Sequence, residues 1–315
     1  MTADAAETVS ALIVTYAPDP QVLAENLARI APQVARVHII DNSTARAAQD
    51  AMRAMATGSV EVLTLGRNTG IAAALNQGIA HAEAAGATRV VLLDQDSCPE
   101  PDMVARLTEG FNEALAHGTR CAAIGPTQVD ARTGAAAPFV RFGFPFNHKG
   151  WPAAGACVEC DFLITSGTLL SLAAHRAIGP FDADLFIDNV DMEWSHRARA
   201  AGYVLLGSAD ARMTHRLGDR LARRPGGYAA VHAPARLYYM MRNRVHLYFR
   251  PTTPKRWVAQ DIPRLLLKFA GFSLFVAPRP ENARAMLTGI LDGLRGRLGA
   301  RPDSGQGEGE GNFLE

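Results

Sequence analysis

Two carboxylates, Asp94 and Asp96, flank Gln95 directly after the apolar run RVVLL. Charge at the end of a buried strand needs a partner. A hard divalent cation that also holds a diphosphate is one such partner, because Mg2+ takes oxygens from one or two carboxylates and completes its shell with phosphates and water. A turn capping a helix that starts near Pro101 is the other reading. Three earlier apolar runs also end in polar residues: Thr15-Tyr16, Asp41-Asn42-Ser43 and Arg67-Asn68-Thr69-Gly70. Asp41 can accept from a pyrimidine N–H, and Tyr16 offers an aromatic face to a base. Arg67 can offset diphosphate charge, while Gly70 lets backbone approach closely where a helix begins. Four polar strand ends in series, the last a D-x-D, together describe a pocket for a nucleotide diphosphate.

A second acidic segment, FDADLFIDNVDMEW, lies further along. Group transfer to a hydroxyl needs a base, and Asp188, Asp191 and Glu193 are the candidates. If a helix begins near Asn189, Asp188 serves as its N-cap and Asp191 falls in the first turn, where the macrodipole favours an anion. Glu193 would then lie on the solvent face. His215 follows the next apolar run; on its own, a single histidine reads equally as a structural or surface residue.

The elements that must position these groups follow from periodicity. TVSALIVTY, RVHIIDNS, VEVLTLG and TRVVLLDQDS are near-continuous apolar runs, as expected of strands buried on both faces. Between them, residues 20–32, 44–57 and 69–85 carry Ala, Leu, Gln and Glu at helical spacing. The pattern is β-α-β-α-β-α-β, a parallel sheet covered by helices, in which ligands gather outside the carboxyl ends of the strands. Residues 126–155, rich in Gly, Pro and Phe, predict loops and a hairpin, and GACVECDFLITSG predicts a further strand with a helix after it. Another helix ends near Ala201, and YVLLGS reads as a strand. Beyond His215 the pattern is helical. Residues 302–315 predict a disordered tail.

With 315 residues and 48% hydrophobic content the chain can bury a large core. Four cysteines are too few for a disulfide framework, and Cys157 and Cys160 would point to opposite faces of an extended segment. Met1 to Val9 carries Asp4 and Glu7 and no apolar run, unlike a secretory or transit peptide, so a cytoplasmic location is expected. The net charge of +1 hides an asymmetry: residues 212–301 hold 18 Lys and Arg against 4 Asp and Glu, while residues 1–211 hold 14 against 23. A basic end on an acidic body suits an anionic surface or substrate. It carries no nucleic-acid recognition motif, so no nucleic-acid partner is expected.

The strings IVTYAPD, VHIIDNST, RNTGIAAALNQGI, VVLLDQDS, ITSGTLLS, LFIDNVDMEW and YYMMRNR resemble, in order and spacing, the bacterial rhamnosyltransferase branch of glycosyltransferase family 2. The resemblance runs from about Val9 to Gly299. It implies an α/β A-type glycosyltransferase fold, a Rossmann-like, mostly parallel sheet flanked by helices, with a C-terminal helical extension. The corresponding division is a catalytic domain over 1–217, a basic helical region over 218–301 and the tail. It further implies that Asp94 and Asp96 hold the metal and nucleotide sugar, with Asp96 the direct ligand, and that Thr15, Tyr16, Asp41 and Asn68 line the nucleotide pocket. His215 would complete a Mg2+ or Mn2+ site. The base would be Asp191, with Asp188 the alternative because Asn189 replaces an acid common in relatives. The implied donor is dTDP-β-L-rhamnose, used with inversion on a saccharide acceptor, lipid-linked, in surface polysaccharide synthesis. A UDP-sugar hexosyltransferase is the rival within the class, and a non-catalytic nucleotide-binding scaffold the rival outside it.

No apolar run approaches the roughly 20 residues that span a bilayer. Trp257, Leu265 to Leu267, Phe269, Phe272 and Phe275 accompany Arg256, Arg264 and Lys268, a composition suited to peripheral contact with the cytoplasmic face of the inner membrane. The same residues would equally pack on the catalytic domain or on a second subunit of an oligomer.

Overall fold

The computed structural model describes residues 7–131, 133–215, 220–224 and 227–301; side chains from 215 to 231 are outside that description. The first half alternates as its periodicity predicts: β1 (Val9–Thr15), α1 (Pro20–Ile30), β2 (Arg36–Asp41), α2 (Arg46–Arg53), β3 (Val60–Thr64), α3 (Ile71–Ala84) and β4 (Arg89–Asp94). Then follow β5 (Cys98–Pro99), α4 (Met103–Ala116), β6 (Cys121–Asp130), β7 (Phe139–Arg141), β8 (His148–Gly150), β9 (Cys157–Cys160), β10 (Leu169–Ser171), α5 (Leu172–Ile178), α6 (Val190–Ala200) and β11 (Val204–His215). The C-terminal part holds β12 (Arg220–Arg224), β13 (Gly227–Val231), α7 (Pro234–Leu247), α8 (Lys255–Phe275) and α9 (Arg279–Arg295).

One sheet organises the chain, in the order β3-β2-β1-β4-β10-β6-β11-β5, with β9 also paired to β11. β1 to β4, β6 and β11 run one way; the short β5, β9 and β10 oppose them. Side chains alternate across the sheet. Ala11 and Ile13 pack with Leu23 of α1 and Leu107 and Phe111 of α4, while Leu12 and Val14 pack with Leu75 of α3 and Trp194 of α6. Covering both faces explains the near-continuous apolar runs and leaves the strand ends as the place for polar residues.

Three expectations change here. GACVECDFLITSG is a strand only over Cys157–Cys160; Gly167 then turns at φ +83° and Thr168 Oγ1 donates to Ile164 O, so residues 161–168 form a loop at the strand ends. Cys157 is exposed and Cys160 buried, as strand alternation requires. The region after His215 opens with the β12–β13 hairpin rather than a helix. Helix α8 turns Trp257, Leu265 and Phe272 inward, about two helical turns apart, so these three belong to the interior. Lys268 is turned in as well: its Nζ meets Met240 Sδ, and burial pushes its pKa down to about 8.

Helices α7 and α9 approach closely because Gly289 faces α7; a Cβ there would lie 2.3 Å from Tyr238 O. A division near residue 217 falls on 216–219, outside the described residues, as does the tail 302–315. Among the described residues no helix is long and apolar enough to cross a membrane.

Candidate active site

The carboxyl ends of β1 and β4 open on a cavity of about 250 Å³. Asp94 and Gln95 line one wall, Thr165 and Ser166 of the 161–168 loop another, and Asp188, Asp191 and Arg236 a third. Ser97 Oγ accepts from Asp94 N and shares a hydrogen bond of 2.6 Å with Ser166 Oγ, tying the D-x-D turn to that loop. The acids from the two distant segments of sequence thus face one cleft.

The earlier strand ends form a connected polar floor beside it. Asp41 is 0% exposed; its Oδ1 accepts from Thr15 Oγ1 at 3.2 Å and Ser43 N at 3.1 Å, while Oδ2 is buried without a hydrogen-bond partner among the described residues. A buried carboxylate oxygen left unsatisfied is costly, and a ligand N–H is the kind of group that would relieve it. Asn68 Oδ1 accepts from Gly70 N, and Thr69 N and Oγ1 both donate to Asn42 Oδ1, which shapes the turn into α3. Arg67 is exposed at this rim.

Three residues are placed differently from expectation. Tyr16 is only 4% exposed, so its ring lies within the chain rather than presenting an open face. Gln95 is an anchor: its Oε1 accepts from Tyr16 N at 2.9 Å and its carbonyl accepts from Asn26 Nδ2. Gly70, at φ +79°, permits a close approach within the chain, because a Cβ there would lie 2.6 Å from Phe186 O. Ile71 N donates to that same oxygen at 2.7 Å. The start of α3 is thereby locked to the acidic segment.

That segment is strained. Phe186, Asp188 and Asn189 have φ of +64°, +64° and +62°, positions that cost a non-glycine residue on the order of 1–3 kcal/mol each and persist only where surrounding contacts enforce them. The contacts come from α7. Asn243 Nδ2 donates to the carbonyls of Leu185, Ile187 and Asp188 at 2.7–2.9 Å, Arg242 donates to those of Asp184 and Leu185, and Phe186 stacks on Tyr239. Asn243→Ala would leave the Ile187 and Asp188 carbonyls without these donors. We expect a stability loss of about 2–6 kcal/mol, at ~1–3 kcal/mol for each of the two buried orphans, measured by urea unfolding; a loss below ~0.5 kcal/mol would remove this role.

The N-cap of α6 is Asn189, and its side chain makes no capping bond. Asp188 therefore does not cap the helix; it pairs with Arg236 Nη2 at 3.4 Å. Asp191 lies in the first turn as expected, its Oδ1 accepting from Met192 N at 2.7 Å. Loss of hydration in the cleft, with the nearby charges of Asp188 and Asp94 adding to it, pushes the Asp191 carboxyl up to about 6. Glu193 is 2% exposed rather than solvent-facing, because Arg197 one turn on pairs with both of its oxygens at 2.7 Å. His215 ends β11, and its side chain lies outside the described residues.

Sequence reasoning missed Arg236 as a wall of the cleft and Arg242 and Asn243 as its supports. The available signal was an Arg-Asn pair inside an otherwise apolar helical stripe, since polar side chains on a buried face need specific partners. For a metal, Asp94 lines the cleft and Asp96 follows two residues on, half-buried in the turn after β4; both are hard oxygen donors of the kind that fits Mg2+ or Mn2+. Among the described residues, no trio of His, Cys, Asp or Glu converges here. The remaining positions would fall to phosphate, water or undescribed side chains, the way Mg2+ is held in phosphoryl-ligand sites.

Residues 10–160 match the profile of "Glycosyl transferase family 2". Over 299 residues the chain is 27% identical to a dTDP-rhamnosyl transferase, RfbF, of Shigella flexneri, covering 92% of this chain and 97% of the relative. Among solved structures it superposes on S. aureus TarS residues 1–349 in complex with UDP-GlcNAc, with a TM-score of 0.56 at 14% identity over 92% of this chain and 84% of that one. It also superposes on GalNAc-T7 with UDP, GalNAc and Mn2+, with a TM-score of 0.56 at 14% identity; there the chain spans 56% of the matched protein. At such identity the structural likenesses speak for the fold, which is that of the A-type transferases. By its sequence profile over residues 10–160, supported by its near-full-length relative and this architecture, the chain carries a glycosyltransferase family 2 domain.

Proposed function

We propose that this glycosyltransferase moves L-rhamnose from dTDP-β-L-rhamnose to a saccharide acceptor, lipid-linked, with inversion at the anomeric carbon. The observation that carries the mechanism is that Asp94 and Asp191, from segments almost a hundred residues apart, line one cleft. The donor sugar is inferred from the relative named for it.

Asp41 accepts from the N–H of the pyrimidine, through the oxygen that has no partner among the described residues. Asp94 and Asp96 would hold a divalent cation, which when bound would supply charge stabilisation for the departing nucleotide diphosphate. Asp191 takes the proton from the acceptor hydroxyl as it attacks the face opposite the leaving group. A carboxyl poised near 6 is ionised at neutral pH and is a stronger base than an ordinary aspartate. Arg236 neutralises Asp188 at the mouth, which leaves Asp191 as the carboxylate available for proton transfer. Transfer assays with dTDP-L-rhamnose, UDP-glucose and UDP-galactose on a lipid-linked acceptor pool test the donor assignment. Turnover restricted to a UDP-hexose would replace it with the rival hexosyltransferase reading.

The acceptor assignment is supported by the outer face of the C-terminal helices. Leu266, Leu267, Leu274 and Phe275 are exposed, Leu267 by 73%, on a helix that also exposes Lys255, Arg256 and Arg264. Apolar area with basic neighbours suits an anionic lipid surface at the cytoplasmic side. We expect the protein to float with vesicles containing anionic lipid, and Leu267→Glu together with Phe275→Glu to abolish flotation. Binding that ignores both lipid charge and salt would count against peripheral attachment.

A further inference from the structure

Away from the cleft, His38 on β2, Glu61 on β3 and His81 in the last turns of α3 bring three ligand-type atoms within 4.8 Å of one another. His38 and Glu61 sit side by side in the parallel register. His38 lies three residues before Asp41 on the same strand, about 10 Å along it at ~3.3 Å per residue, so the cluster is separate from the nucleotide floor.

We propose that His38, Glu61 and His81 bind a transition-metal ion of the Zn2+ class, clipping edge strand β3 to β2 and α3. The spacing fits such an ion. Donors held ~2.0–2.1 Å from a tetrahedral centre lie roughly 3.3 Å apart. Glu61 Oε2 is 3.2 Å from His38 Nδ1 and 3.0 Å from His81 Nε2. The other carboxylate oxygen, Oε1, is engaged by Arg36 at 2.5 Å, which leaves Oε2 as a single ligand atom.

His38 is the independent sign that the cluster is a site. It is 0% exposed, and neither ring nitrogen has a hydrogen-bond partner among the described residues. Nδ1 lies 3.2 Å from Glu61 Oε2 but off the direction of a hydrogen bond. A buried imidazole left unpaired in this way costs stability, and an ion at Nδ1 would supply the missing partner. Burial holds His38 below its ordinary pKa, so the ring is neutral and its lone pair is available, as a metal ligand requires. The hydrogen bond with His81 holds Glu61 below the usual carboxylate range, so it is ionised. His81, exposed at the surface, gives the ion a way in. Imidazole and carboxylate donors together suit Zn2+ better than the harder Mg2+ of the cleft.

The test is calorimetric titration of the full chain with Zn2+ in excess Mg2+, which occupies hard-oxygen sites. We expect one Zn2+ per chain. His81→Ala and Glu61→Gln should each weaken it by at least about 100-fold, beyond the ~10- to 100-fold typical of losing a mere supporting residue, while Asp96→Ala should leave it unchanged. Zn2+ should also raise the melting temperature of the wild type and not of His81→Ala, since an ion that binds only the folded state stabilises it. His81 lies at the surface, so its replacement leaves the core intact. No Zn2+ binding by the wild type, equal binding by the His81 and Glu61 variants, or loss of binding in Asp96→Ala would each overturn the proposal.

Discussion

Asp191→Asn should lower turnover by about 10²- to 10⁴-fold while leaving nucleotide affinity near wild type, the range expected when a general base is lost. The amide keeps the shape of the side chain, and an Asn oxygen can still accept from Met192 N. What it cannot do is take the acceptor proton. Asp188→Asn is the control. Its carboxylate pairs with Arg236 and does not cap α6, so the amide forfeits an ion pair at the cleft mouth rather than a helix start. Its turnover should stay within about tenfold, the equivalent of ~1.4 kcal/mol on the barrier. Donor affinity, measured separately by calorimetry with dTDP and metal, keeps a lost base distinct from a lost pocket. The same assignment sets a pH profile. With its pKa raised to about 6, mainly by lost hydration, Asp191 becomes protonated and unable to act as base as pH falls through 6. The kcat/KM of the wild type should therefore drop about tenfold per pH unit below that point, and the residual activity of Asp191→Asn should lack this limb. Exchanged phenotypes, with Asp188→Asn nearly dead and Asp191→Asn active, would make Asp188 the base.

Removal of the divalent ion should be comparably severe. Excess chelator should suppress transfer and added Mg2+ or Mn2+ restore it, and Asp96→Ala should cost at least about 100-fold at fixed metal. A bound cation contributes several kcal/mol of charge stabilisation to a departing diphosphate, and each ~1.36 kcal/mol is tenfold in rate. His215→Ala extends the test to the ligand implied by family resemblance, by the metal concentration needed for half-maximal activity. Asp41→Ala supplies the contrast: it removes the buried oxygen that has no partner among the described residues, so nucleotide affinity should fall while the metal requirement persists. Full activity in excess chelator would defeat the metal assignment.

Local chemistry in the sequence determined the first half of the fold and the position of the D-x-D. An apolar run long enough for a strand, with charge at its end, carries its own reason: residues such as Leu92 and Leu93 are buried between helices, and Asp94 leaves the core where ligands gather. The start of α6 was legible for the same kind of reason, from acids in a first turn. Tertiary structure decided what periodicity does not encode, namely which groups become partners. Asp188 meets Arg236, 48 residues on, and Asn243 holds the backbone in a conformation no local preference favours. Gly70 reads as a ligand-approach glycine until Phe186 is seen against it, and Tyr16 reads as an open ring until its burial in the folded chain is seen. Glu193 has the spacing of an exposed helical acid, yet Arg197 pays its desolvation by pairing both oxygens. Helical spacing separates Trp257, Leu265 and Phe272 from Leu266, Leu267 and Phe275, but only the packing of α7 and α9 against α8 selects which set is interior. Periodicity reports that one face is apolar; contacts between distant segments determine what covers it.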